Sequence, residues 1–402
     1  MSLALSSEDA AFRDEVRAFL DRALTPKLRR AGTLMTSVYC DHEAQLEWQA
    51  LLHQQGWAAP SWPVEYGGCG WSAVQRYIFT RERLLAGAPT SPLGINMVGP
   101  AIMAFGDPAQ KAFFLPRMLS GEHLWCQGYS EPQAGSDLAA LAMKAERDGD
   151  DLVCTGTKIW TTHAHVANWM FCLVRTDAGG RKQQGITFLL IDMTSPGVTV
   201  RPIVMSSGEA VQNQVFFDEV RVPLANVIGG IDQGWTVAKY LLEYERGGSA
   251  YAPELQVKLD ALRRDAGAEL AANPLLAARV AETEIEVEVL DALEAEILSA
   301  LSADKAIGTD ASMMKILGTE LQQRVTELAL DAAGPLARAW QPGVAVPGGP
   351  VVGHPLPLDD YASGETWQAI APLRYLNERA GTIYAGANEI QRGILAKAEL
   401  GL

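Results

Sequence analysis

Apolar residues fall at Phe12, Val16, Phe19, Leu20 and Leu24, a spacing that predicts a helix over residues 7–24 with Ser6 or Ser7 as its N-cap. From there to about residue 122, helical stretches alternate with Gly/Pro-rich breaks. The clearest break runs from Ala59-Pro60-Ser61-Trp62-Pro63 to Tyr66-Gly67-Gly68. Between about 125 and 230 the texture changes. The runs DLVCTGTKIW, WMFCLVRT, GITFLLIDM, GVTVRPIVM and NQVFFDEVRVP are β-rich, and turn clusters such as Asp177-Ala178-Gly179-Gly180 separate them. That pattern predicts an antiparallel all-β module. After Gly234 the helical period returns, in stretches near 234–263, 275–302, 310–333, 366–380 and 387–400. An irregular insertion rich in Gly, Pro and Val, Gly343–Pro357, interrupts this helical part. The expected protein is mainly α with a central β-domain: helical over 1–124, β over 125–232 and helical again over 233–402. No internal repeat stands out.

Length and composition agree with this plan. A chain of 402 residues calls for two or three domains. With 48% hydrophobic and 20% charged residues it reads as a well-packed globular protein. A formal charge of −15 argues against nucleic acid or an anionic membrane as partner, since both demand basic patches. A few local donors still suffice for a phosphate-bearing cofactor. The cysteines Cys40, Cys69, Cys126, Cys154 and Cys172 are scattered and odd in number, without a C-x-x-C pair, which points to a reducing compartment. No targeting segment is visible at the N-terminus, and no apolar run approaches the ~18 residues of a membrane span. A cytoplasmic location is expected.

Familiar cofactor signatures are missing. Gly67-Gly68-Cys69-Gly70 has the wrong spacing and context for a dinucleotide-binding turn, and no phosphate-binding loop or H-E-x-x-H occurs. His163 and His165, two apart in a β-like region, would point the same way, but no third ligand lies nearby, so no metal site is expected.

Four motifs carry more information: LHQQGWAAPSWPVEYGG, GYSEPQAGSD at 128–137, TGTKIWTTHAHVANWMFCLVRTD at 155–177 and TIYAGANEIQRGILAKAELGL at 382–402. In this order and spacing, over essentially the whole chain, they resemble the acyl-CoA dehydrogenase family. The resemblance implies an N-terminal helical domain, a middle β-barrel or sandwich domain and a C-terminal four-helix bundle, with FAD and an acyl-CoA thioester between them. It places Tyr129 and Ser130 where backbone and hydroxyl donors face the flavin ring, with Trp160 beside the ring and Thr162 near its N5. On their own residues alone, Trp160 reads as a core aromatic of a strand and Thr162 as a strand residue; the matched motif favours the flavin-facing reading. Ala387 and Glu389 are carried over as further cofactor contacts. Ser136 matches a serine that contacts the CoA arm, although a turn or N-cap serine reads the same way. Arg246 matches an arginine near the acyl-CoA.

The same resemblance assigns the catalytic base. Most members carry a glutamate directly after the tyrosine of the I-Y-x-G segment; here that residue is Ala385, which takes no proton but still offers its backbone N–H to polarise a thioester oxygen. A minority carry the base on an upstream helix before an arginine, which here is Glu245, followed by Arg246. Trp235, Val237, Ala238, Tyr240, Leu241 and Leu242 make that segment largely apolar, and an apolar pocket raises a carboxylate's pKa towards a base's working range. The implied reaction gives a trans-2-enoyl-CoA, with an electron-transferring flavoprotein as acceptor. Gly247, Gly248, Ser249 and Ala250 leave volume for a bulky, branched or steroid-type acyl group.

The chain departs from the family in two places. It lacks the R-x-x-F-G segment that holds a neighbouring subunit's FAD pyrophosphate; residues 272–296 are acidic instead. The Q-x-x-G-G-x-G segment becomes Asp331-Ala332-Ala333-Gly334-Pro335-Leu336. Both departures resemble bacterial relatives that work as α2β2 tetramers with a related second subunit. A same-fold reductase or oxidase, or a non-catalytic subunit of a mixed enzyme, are the competing readings.

Overall fold

The computed structural model describes residues 5–246, 250–302, 308–353 and 363–401, with only the backbone at 242–246 and 301–302. Seven helices come first: α1 (Ser7–Ala23), α2 (Pro26–Thr33), α3 (His42–Gln55), α4 (Ala73–Leu85), α5 (Leu93–Asn96), α6 (Val98–Phe105) and α7 (Pro108–Ser120). Ser6 caps α1 by accepting from the Asp9 N–H, and Asp107 and Gln110 form a reciprocal capping box on α7. Phe12, Val16, Phe19 and Leu20 form the buried face of α1, packed with Trp48 of α3 and Phe79 of α4. The Gly/Pro break at 59–68 is anchored by Trp62, whose indole N–H donates to Ile95 O at 2.9 Å.

The middle of the chain forms one sheet from β1 (Trp125–Gly128), β2 (Lys144–Asp148), β3 (Asp151–Lys158), β4 (Trp169–Arg175), β5 (Ile186–Asp192), β6 (Val198–Ile203), β7 (Gln212–Pro223) and β8 (Val227–Ile228). The order is β6-β7-β3-β2-β4-β5-β8, with β1 beside β4. The sheet is not wholly antiparallel as expected: β1 runs parallel to β4, because it arrives from α7 rather than through a hairpin. Alternation along β4 sends Phe171 and Leu173 into a core shared with α5–α7, and Met170, Cys172 and Val174 into a second core on the other face.

The expected helix over 234–263 is two helices, α8 (Gly234–Arg246) and α9 (Ala252–Asp265). Pro253 explains the division, since proline is tolerated in a helix's first turn but not its interior. Gly234 lets α8 approach the sheet: a Cβ there would lie 2.4 Å from the Phe188 N. Then follow α10 (Gly267–Ala272), α11 (Pro274–Ser302), α12 (Asp310–Ala333), α13 (Thr366–Glu378) and α14 (Asn388–Leu400). Helices α9, α11 and α12 share one apolar core. The insertion after Gly343 is irregular within the described residues and is tied to the sheet, with Ala210 N donating to Pro350 O at 2.8 Å. Among the described residues no helix is long and apolar enough to cross a membrane.

Candidate functional site

The 129–131 segment leaves β1 and meets the residues that follow β3. Ile159 N donates to Ser130 O, Thr161 N to Asn213 O and His163 N to Val211 O, each at 2.9 Å. The N–H groups of Ser130, Trp160 and Thr162 donate to nothing among the described residues. Alternate donors thus serve the protein while those between stay open, and a flat heterocycle with acceptors along its edge would satisfy them.

Trp160 is not a core aromatic. β3 ends at Lys158, and Trp160 has a left-handed backbone (φ 59°) with 59% of its surface exposed. A non-glycine residue in that region costs of order 1–3 kcal/mol, so packing elsewhere enforces it. Thr162 is buried and exchanges hydrogen bonds with the Gln212 amide. These donors and the exposed indole fit the ring half of a flavin.

His163 and His165 occupy a turn rather than a strand, with ring centroids 6.1 Å apart. The His163 Nε2 lies 2.9 Å from Gly348 O, and burial lowers its pKa to about 4. Asn213 partners His165. Among the described residues no group of three or more His, Cys, Asp or Glu could hold a metal, and all five cysteines are free.

The second half of the site is the turn from α13 into α14. Tyr384 N donates to Ala380 O at 3.1 Å and Asn388 N to Thr382 O at 3.0 Å, whereas the Ala385 N–H donates to nothing among the described residues. Ala385 is exposed and also left-handed, at φ 52°. Tyr384 keeps 37% of its surface open, yet burial, and then the charges of Glu378 and its other neighbours, push its phenol well above the ordinary value. Ala387 is the N-cap residue of α14 without a side-chain bond, and Glu389 is exposed in its first turn.

On α8, Val237, Ala238 and Leu241 are buried against the sheet and α6, while Tyr240 is 36% exposed. Helical spacing puts position 245 on the row of Ala238 and Leu241. The side chains of Glu245 and Arg246 lie outside the described residues, as do Gly247–Ser249 entirely. Ser136 is exposed in a bend, and the short helical turn after it has Asp137, not Ser136, as its cap residue.

Several residues here carry no sequence signal. Asn388 and Gln391 belong to the last motif but turn inward: Lys315 Nζ donates to Asn388 Oδ1 at 2.7 Å, and Ser312 Oγ to Gln391 Oε1 at 2.8 Å. Glu378 is buried with Oε1 lacking a hydrogen-bond partner among the described residues, and burial raises its pKa to about 7. Glu294 caps the start of α9 by accepting from the Tyr251 and Ala252 N–H groups. Lys158 and Glu131 form a buried ion pair, and Lys158 also reaches the Tyr129 carbonyl next to the open Ser130 donor. Polar residues inside a helix or strand read as solvated faces until the fold encloses them.

Three family models cover almost the whole chain: acyl-CoA dehydrogenase N-terminal domain over residues 6–122, middle domain over 126–220 and C-terminal domain over 232–400. Acyl-CoA dehydrogenase IpdE1 of Mycobacterium tuberculosis is 37% identical over 373 residues, covering 90% of each chain. Among solved structures, the Tcur3481-Tcur3483 steroid ACAD matches 100% of this chain and 99% of its own, at 30% identity and TM-score 0.82. A chain of the ChsE4-ChsE5 complex from Mycobacterium tuberculosis matches with the same coverage, at 31% identity and TM-score 0.80.

Proposed function

Because this chain belongs to the acyl-CoA dehydrogenase family, we propose that it desaturates a bulky, branched or steroid-type acyl-CoA to the trans-2-enoyl-CoA, with Glu245 as base. The observation that carries this reading is the Tyr384–Ala387 turn. It offers a backbone N–H free to polarise a thioester oxygen, and it has a methyl group where most relatives carry the carboxylate. The base must then come from elsewhere, and Glu245, on the apolar row of α8, is the carboxylate that the family's alternative position offers.

The steps divide as follows. The Ala385 N–H would donate to the thioester oxygen and stabilise the negative charge that develops there, which acidifies the α-carbon. Glu245 would take the α-proton, and the β-hydrogen would leave as hydride while the C=C bond forms. FAD, when bound, supplies the two-electron acceptor, and an electron-transferring flavoprotein would take those electrons onward. The open N–H groups of Ser130, Trp160 and Thr162 would hold the ring, Arg246 and Ser136 would contact the CoA arm, and Ala387 and Glu389 would meet the rest of the cofactor. The preference for a bulky acyl group rests on the small residues 247–250 and on the steroid ACAD among the similar structures.

The test is anaerobic mixing of the flavin-loaded protein with a panel of saturated acyl-CoAs, following the visible flavin band. Bleaching by bulky thioesters, abolished by Glu245→Gln, is expected. A sharp optimum at butyryl-CoA with bulky thioesters inert would reject the substrate class. Bleaching that survives Glu245→Gln at more than about a tenth of the original rate would reject the base.

A further inference from the structure

Lys158 has no exposed surface, and its ammonium uses all three donors. It donates to Glu131 Oε1 at 2.7 Å, to Leu173 O at 2.7 Å and to Tyr129 O at 3.3 Å. Glu131 is equally committed, accepting from Ala142 N at 2.7 Å, Met143 N at 3.0 Å and the Gln133 amide at 2.7 Å. Burial works against its charge, but Lys158 and the backbone donors outweigh it and hold the carboxyl below its ordinary range. The pair therefore knits four segments together: the residues after β1, those just before β2, the end of β3 and the middle of β4.

Its direction matters more than its strength. A peptide unit is planar, with C=O and N–H pointing opposite ways. Once Lys158 captures the Tyr129 carbonyl, the N–H of the same unit, that of Ser130, must face away from the buried pair. That N–H is one of the three open donors described above, and the next carbonyl, Ser130 O, is captured in turn by Ile159 N. Both peptide units around Ser130 are thus oriented from behind.

We propose that Lys158, held by Glu131, is a positioning residue that aims the Ser130 N–H at the flavin ring. This rests on the reading of the Ser130, Trp160 and Thr162 wall as the flavin site. Lys158 touches neither cofactor nor substrate in this arrangement and acts only through the backbone of residues 129–131.

Removing one partner of a buried pair strands the other's charge, so the neutral double variant Lys158→Met with Glu131→Gln accompanies Lys158→Met in the test. Each is titrated with FAD, with the dissociation constant, the visible band and amide exchange across residues 128–132 as readouts. In the wild-type protein FAD should protect the Ser130 amide. In both variants that protection should be lost, the flavin band should shift and affinity should fall roughly three- to tenfold, the loss of one aimed hydrogen bond. Lys158→Arg, which keeps the cation and its donors, should restore part of the protection. Variants that lose thermal stability but keep the wild-type band, affinity and protection would overturn the proposal. So would wild-type protein that binds FAD without protecting Ser130, an outcome that leaves the cofactor reading intact. Wild-type protein that fails to bind FAD under any condition would overturn the cofactor reading itself.

Discussion

Lys315, in the second turn of α12, donates from Nζ to Asn388 Oδ1 at 2.7 Å, and Asn388 is the first residue of α14. Thr319 sits one turn further along α12, and its hydroxyl meets the same Asn388 amide. The Ala385–Ala387 turn is therefore held from behind by a buried polar contact between two helices as well as by its own backbone hydrogen bonds. Burial lowers the Lys315 pKa to about 8, so the ammonium is costly to keep there.

Lys315→Met should loosen that turn. It leaves the Asn388 carbonyl short of its closest donor, at a cost of about 1–3 kcal/mol for an unsatisfied buried group. Denaturant unfolding measures the loss, and acyl-CoA turnover should fall alongside it because the Ala385 N–H depends on this turn. Unchanged stability would mean that Thr319 alone satisfies Asn388.

Glu378 should make stability depend on pH. Its folded carboxyl is raised from 4.5 to about 7, first by burial and then by Glu254, against the opposing cations Lys258 and Arg379. A raised acid favours folding in its protonated form. The contribution is therefore whole below about pH 4.5 and is lost as the pH climbs through about 7, a change of roughly 3 kcal/mol at ~1.4 kcal/mol per unit. Glu378→Gln should remove this term and make the protein more stable than wild type at pH 8. Parallel unfolding curves for the two proteins from pH 5 to 8 would contradict it.

Relocating the carboxylate tests whether both catalytic layouts converge on one α-carbon. Glu245→Gly should abolish turnover, and adding Ala385→Glu should recover part of it. Position 385 is left-handed in the native backbone, so glutamate there carries much the same backbone cost as alanine. A double variant no better than Glu245→Gly alone would show that the two positions do not flank the same carbon.

Much of this arrangement is legible in the chain, and the exceptions share a cause. Period-3.6 spacing with a side-chain cap marks α1, and apolar runs mark β3 to β7, because each element buries a continuous face. β2, with sequence KAERD and only Ala145 buried, has no such face and is missed; β1 and β8 are too short to show a period. Trp160 looks like a strand aromatic until the left-handed backbone turns it outward. Lys158, Glu131, Lys315 and Glu378 are charges that only the fold encloses. The motif residues Asn388 and Gln391 have no chemistry legible from the chain, and the fold turns both towards α12.

The last expectation concerns assembly: the chain alone should bind FAD weakly and should need a related second subunit for full activity. Ser130, Trp160 and Thr162 supply the open donors proposed to hold the flavin ring, but the basic groups available to a pyrophosphate are mostly engaged. Arg279 pairs with Asp331 at 2.7 Å and Arg324 with Glu286 at 2.5 Å, while Arg263 pairs with Glu284 and Arg392 with Glu320. Arg279 is thus not a spare substitute for the missing R-x-x-F-G arginine. Arg338, exposed and unpaired among the described residues, is the remaining candidate. A pyrophosphate that meets the acidic face of α11 instead of an arginine loses a charge-assisted bidentate contact and gains repulsion, together roughly 2–5 kcal/mol. That is about 30- to 5,000-fold in affinity at ~1.4 kcal/mol per decade. Protein purified alone should accordingly be pale, and mixing with a partner that bears R-x-x-F-G should restore colour and turnover. The Tcur3481-Tcur3483 and ChsE4-ChsE5 assemblies among the similar structures make such a partner the natural one to try. Stoichiometric, tightly held FAD in the chain alone would refute this, and loss of that FAD in Arg338→Ala would identify the substitute.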